Sequence, residues 1–127
     1  VHSLEEITLL SKSFPSNIKQ YNIYNEDHIL AGVTIFDTKF CAHAQYISSN
    51  DAGKDCGALD KLFEYLITEE YAHKKYFDFG ISNENMGLHV NKGLLGWKEG
   101  FGGRTIAHPF HSIAIANYLL LEKVLLN

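Results

Sequence analysis

Ser3-Leu4-Glu5-Glu6 sets a serine three residues before an acid, ahead of the apolar positions Ile7, Leu9 and Leu10. This is a capping box, and it predicts a helix over about 4–12 that Phe14-Pro15 stops. Three strand-like runs follow. Residues 19–25 mix Tyr21, Ile23 and Tyr24 with polar neighbours, the pattern of a strand near a sheet edge. Residues 29–36 are apolar on both alternation sets, which predicts a strand covered on both faces. Residues 40–48 alternate Phe40, Ala42, Ala44 and Tyr46 with Cys41, His43, Gln45 and Ile47. The intervening turns, Asn25-Glu26-Asp27 and Asp37-Thr38-Lys39, are short, so the three strands are expected to form an antiparallel meander.

Residues 49–57 are polar and glycine-containing and read as a loop. Leu59, Leu62, Phe63, Leu66, Ile67 and Tyr71 then recur at helical spacing and predict a helix over about 57–74, closed by the cations of His73-Lys74-Lys75. A short strand is expected at 76–81 and a helix over 86–99, although Gly93 and Gly96 weaken the latter. Gly100-Phe101-Gly102-Gly103 ends that helix. Residues 104–115 read as a final strand or strand pair interrupted at Pro109, and 117–126 fit either helix or strand. A helix between the third and fourth strands implies a parallel pair beside the meander. The expected class is α/β (α+β): one domain with a mixed, mostly antiparallel sheet flanked by helices.

The chain has 127 residues, 46 % of them hydrophobic and 20 % charged, which suits a packed domain. Its formal charge of −4 counts against a general nucleic-acid binder. The longest greasy stretch, 113–126, is broken by Asn117, Glu122 and Lys123, so no membrane span is expected. No signal-peptide pattern opens the sequence. Cys41 and Cys56 form neither a CxxC pair nor a framework, which points to a reducing, cytoplasmic setting. No GxSxG and no P-loop occurs. His108 and His111 would fall on opposite faces of a strand, with no cysteine or acid beside them, so no metal site is expected.

The element order, with Phe77-Asp78-Phe79-Gly80-Ile81-Ser82 and the later Trp97-Lys98-Glu99-Gly100-Phe101-Gly102-Gly103-Arg104, resembles the GNAT acyltransferase superfamily, and most closely its FemAB-like branch. Ala58-Leu59-Asp60-Lys61-Leu62-Phe63 is similar to bacterial polysaccharide-biosynthesis members of that branch. The resemblance covers roughly residues 18–110. The superfamily usually places one strand and two helices before the meander. Here one helix precedes it, so the chain resembles a domain lacking its front or cut from a longer two-lobed protein. What the resemblance implies is an N-acyltransferase that takes an acyl group from acyl-CoA to a small-molecule amine, such as an amino sugar. Aminoacyl transfer from aminoacyl-tRNA and a non-catalytic binding module are the alternatives, and a homodimer is compatible with each.

The resemblance also distributes roles. The loop before the long helix, with Gly53, Lys54 and Gly57, stands where relatives cradle the CoA pyrophosphate on backbone N–H groups. It matches their (Gln/Arg)-x-x-Gly-x-(Gly/Ala) pattern in neither register, and Asp55 is a good helix cap there. His43 and Gln45 share a face of the third strand, beside the slot where the thioester would lie. Histidine's imidazole ordinarily titrates near neutrality, so His43 suits a general base and Gln45 a donor contact. Ser82 and Asn83, beyond the fourth strand, are candidate ligand contacts, and Glu84 is the candidate catalytic carboxylate. Lys98 is a candidate contact to an anionic donor. Asp78, inside the strand, reads as structural and in need of a buried partner. Gly96 stands where many relatives carry a general-acid tyrosine, and Trp97 reads as core. Each of these residues also has an ordinary reading as a cap, a loop residue or a packed side chain.

Overall fold

The computed structural model describes residues 2–112, 114–116 and 118. The capping box forms as expected. Ser3 accepts from the Glu6 N–H, Glu6 accepts from the Ser3 N–H, and helix α1 spans Leu4–Ser13. Strands β1 (Ile18–Asn25), β2 (His28–Asp37) and β3 (Cys41–Ser49) make the antiparallel meander. A short helix α2 (Asp51–Asp55) and helix α3 (Ala58–Tyr65) carry the chain over the sheet to β4 (Tyr76–Asp78), which pairs with β3 in parallel. The sheet order is β1-β2-β3-β4. The class is therefore α+β, with one crossover in a mostly antiparallel sheet.

One sheet face is the core. Val33, Ile35, Ala42 and Ala44 pack there against Leu62, Phe63 and Leu66 of the crossover. Phe63 is fully buried, and the rings of Phe77, Phe79, Trp97 and Phe101 surround it at centroid distances of 5.0–5.9 Å. Trp97 is thus a core residue, as expected. The crossover departs from regular α-helix at Leu66–Glu70, which forms a π-helical turn closed by the Tyr71 N–H on the Leu66 carbonyl. That extra residue ends the helix at 70 rather than 74. It delivers Glu70 and Tyr71 to Tyr21, whose hydroxyl donates to the Glu70 carboxylate at 2.8 Å and meets the Tyr71 hydroxyl at 2.9 Å.

Several sequence expectations are corrected. Strand β2 is not covered equally on both faces: Ala31, Val33 and Ile35 are buried, while Gly32, Thr34 and Phe36 are only half-buried. The polar run at 49–57 contains a helix, because the Asn50 side chain caps α2 through the Gly53 N–H. Asp55 does not cap α3; Gly57 does, in the left-handed conformation at φ 66°. Residues 86–99 are not one helix. Asn85, Met86 and Gly87 all take positive φ, which forces a hairpin of β5 (Asn83–Glu84) and β6 (His89–Val90). Helix α4 (Lys92–Gly100) starts only after it, capped by Asn91. Among the described residues of 104–115 no strand forms; Pro109 has no N–H to give a ladder. The expected tail element at 117–126 lies outside the described residues, Tyr118 excepted. Among the described residues no helix is long and apolar enough to cross a membrane.

Candidate functional site

Strands β3 and β4 stay together for only three residue pairs, Cys41–Tyr76, Ala42–Phe77 and His43–Asp78. Strand β3 continues to Ser49, paired with β2 throughout, but on its other side β4 has ended. The chain leaves at Gly80, whose φ of 70° turns it away from β3. A fork opens there, and the Ala44 carbonyl faces Gly80 across it.

His43 sits at the fork. Residues paired across a ladder share a face. His43 pairs with Phe36 and with Asp78, so all three lie on the face opposite the core. Its Nδ1 meets Asp78 Oδ2 at 2.7 Å, and its Nε2 meets Gln45 Oε1 at 3.0 Å. The register shifts between Thr34, opposite Tyr46, and Ile35, opposite Ala44, which makes Gln45 the extra residue of a bulge. The bulge re-aims Gln45, and it is this side chain that faces Nε2. His43 and Gln45 are thus brought together, as their spacing suggested.

Asp78 is the residue that sequence reasoning undervalued. Its second oxygen accepts from the Gly80 N–H at 2.8 Å. Burial alone would raise its carboxyl; the Gly80 N–H, His43 and the nearby Lys98 outweigh that and hold it below the usual carboxylate range. The parallel pairing of β3 and β4 sets Asp78 beside β3, and the register then puts it opposite His43. Asp78 cannot donate when ionised, so Nδ1 carries the ring proton. A ring protonated on both nitrogens would donate from Nε2 to Gln45 Oε1. Rotating the Gln45 amide by half a turn presents its NH2 to a neutral Nε2. Both protonation states of His43 therefore find partners in place.

Lys98 is 5 % exposed, and its ammonium donates to the carbonyls of Gly80 and Ile81 at 3.0 and 2.6 Å. Burial pushes this amine below its ordinary range, with the Asp78 charge partly opposing. Lys98 thus braces the turn that carries Asp78, and does not extend into open space as a contact to an anionic donor would.

The other candidates lie elsewhere. Glu84 belongs to the β5–β6 hairpin and accepts from Asn91 at 2.9 Å, with no hydrogen bond to His43. The Ser82 carbonyl closes the same hairpin by accepting from the Asn91 N–H, and Asn83 pairs with Val90. In the expected phosphate loop the backbone donors are occupied: Gly53 by Asn50 Oδ1, Lys54 by the Asn50 carbonyl, and Gly57 by the Lys54 carbonyl. Gly53 is a packing glycine, since a Cβ there would come within 2.2 Å of the Leu30 carbonyl oxygen. The Lys54 ammonium pairs with Asp51 at 2.9 Å. Among the described residues no group of three potential ligands gathers for a metal ion.

A scan against protein-family models and searches of curated proteins and of solved structures found no match to this chain.

Proposed function

We propose that this domain is a GNAT-type N-acyltransferase of the FemAB-like kind, moving an acyl group from a thioester to a primary amine. The observation that carries the reading is the forked β3–β4 pair with the Asp78–His43–Gln45 chain at its branch point. Along Ala44–Ser49 the strand has no β4 partner, so its outward backbone groups are available to an extended donor. In the reaction the amine lone pair attacks the thioester carbonyl carbon, and the carbonyl π electrons move to oxygen. Collapse of that adduct breaks the C–S bond. Once the amine displaces the Gln45 amide from it, His43 Nε2 takes the proton the amine sheds and returns it to the departing thiolate, while Asp78 steadies the imidazolium between the two steps. Placing both substrates beside one another supplies the remainder of the rate. The resemblance implies acyl-CoA as donor and an amino sugar as acceptor.

The occupied donors of the 50–57 loop favour a second reading, a GNAT-fold binding module without transfer. Calorimetric titration with acetyl-CoA separates the two: saturable heat supports the donor site, and silence at millimolar ligand supports the module. If the protein transfers, His43→Ala lowers the rate about a hundredfold or more while leaving acetyl-CoA affinity intact. Unchanged turnover would remove His43 from the mechanism.

A further inference from the structure

The face opposite the core holds a second feature. Beyond His43 towards the far end of β3, the strands β1, β2 and β3 frame a trough of about 300 Å³. Twelve residues line it, and none carries a charge at neutral pH, in a chain where one residue in five is charged. Its polar floor is ordered before any ligand arrives. Thr34 donates to Gln20 Oε1, Gln20 Nε2 donates to Asn22 Oδ1 at 2.8 Å, and Asn22 Nδ2 donates to the Tyr24 hydroxyl at 3.3 Å. Gly32 keeps the middle open, since a Cβ there would stand 2.7 Å from Asn22 Oδ1. Tyr46 and Ser48 form the opposite wall, one an aromatic ring and the other a hydroxyl.

We propose that this trough is a binding site for an uncharged, polyhydroxylated ligand, a saccharide unit. A charged ligand would lose hydration there and meet no counter-charge. An apolar one would bury the Ser48 hydroxyl and the second Asn22 Nδ2 hydrogen without partners. Amides and hydroxyls that both donate and accept, beside an aromatic ring, match the alternating hydroxyl and C–H surface of a sugar. The volume suits a small molecule. The proposal does not depend on the transfer reaction.

The test is an amide NMR titration of the 127-residue chain with maltose and with N-acetylglucosamine, and with inorganic phosphate as the charged probe. At least one sugar should move the amide signals of Gly32, Thr34 and Ser48 saturably, with a dissociation constant on the order of 1 mM. Ser48→Ala and Asn22→Ala should each weaken that binding about fivefold, the value of one hydrogen bond. Lys61→Ala, on the exposed side of α3, should leave it unchanged, and because no acyl donor enters this titration, a failed transferase reading and a failed trough are told apart. Linear or missing shifts up to about 100 mM sugar, shifts insensitive to both trough variants, or the same shifts produced by phosphate would each overturn the proposal.

Discussion

The two faces of the sheet divide the work of the molecule. On one, Val33, Ile35, Ala42 and Ala44 are sealed beneath Leu62, Phe63 and Leu66. On the other, the same strands present Thr34, His43, Tyr46 and Ser48, none of them fully buried. The pleat alternates the two sets residue by residue, so each strand builds the core and the candidate site at once. Apolar burial fixes where the strands run, and the polar face is then free to carry chemistry that contributes little to stability. The contrast predicts large stability losses from one face and small ones from the other.

The largest loss is expected at Phe63. It is 0 % exposed and stands among four aromatic rings from β4, the segment after it, α4 and the residue that caps α4. Phe63→Ala removes the ring that joins the crossover to these elements and should cost about 3–5 kcal/mol in denaturant unfolding. A loss below about 1 kcal/mol would mean that the cluster is not the keystone of the core.

Lys98 comes next, because it couples the two faces. It reaches from α4 on the core side to the carbonyls of the turn that holds Asp78. Lys98→Met keeps the volume and leaves those carbonyls without their donor, with an expected cost of about 2 kcal/mol. The amide signals of Gly80 and Ile81 should shift with it. A stable variant with an unperturbed Gly80 would show that the brace is dispensable.

This division also explains what the sequence revealed. The meander, the crossover helix and the parallel β4 were legible because they are built from apolar periodicity, and the core face is where that signal originates. Trp97 was legible as core for the same reason. The hairpin at 83–90 was hidden because positive φ at Asn85 and Met86 is a backbone event with little signature in side-chain pattern. The role of Asn50 as a cap was visible in principle, three residues before Gly53, but the glycines drew the reading toward a phosphate loop. His43 could be placed from alternation, but the bulge at Gln45 breaks the pattern, moving Tyr46 to the face of His43 and Ile47 to the core. Asp78 could not be so placed, because its partner depends on strand register, and the hairpin that turns Glu84 to Asn91 was equally hidden. Register and turn conformation are set by the packed whole, which one strand's sequence does not encode.

The smallest expected effect compares two carboxylates, one from each face. Asp37 pairs across the ladder with Ala42 on the core side, where Lys19 and Lys74 both reach it, and its side chain is 13 % exposed. Asp78, on the opposite face, is 53 % exposed. Burial raises each carboxyl, and its partners more than compensate: the two lysines for Asp37; the Gly80 N–H, His43 and Lys98 for Asp78. Both are therefore more acidic in the folded chain than in the unfolded one. Between the folded and the ordinary value near 3.9 the unfolded chain binds more protons, so stability rises with pH. The contribution is complete above the ordinary value and is lost as acid carries the pH down through the folded one. Unfolding followed from about pH 6 to pH 2 should thus show an acid slope that Asp37→Asn flattens strongly. Asp78→Asn should flatten it by less than about 1 kcal/mol, because solvent screens a half-exposed pair. The reverse order would place the stabilising electrostatics on the open face and break the division of labour between the two sides of the sheet.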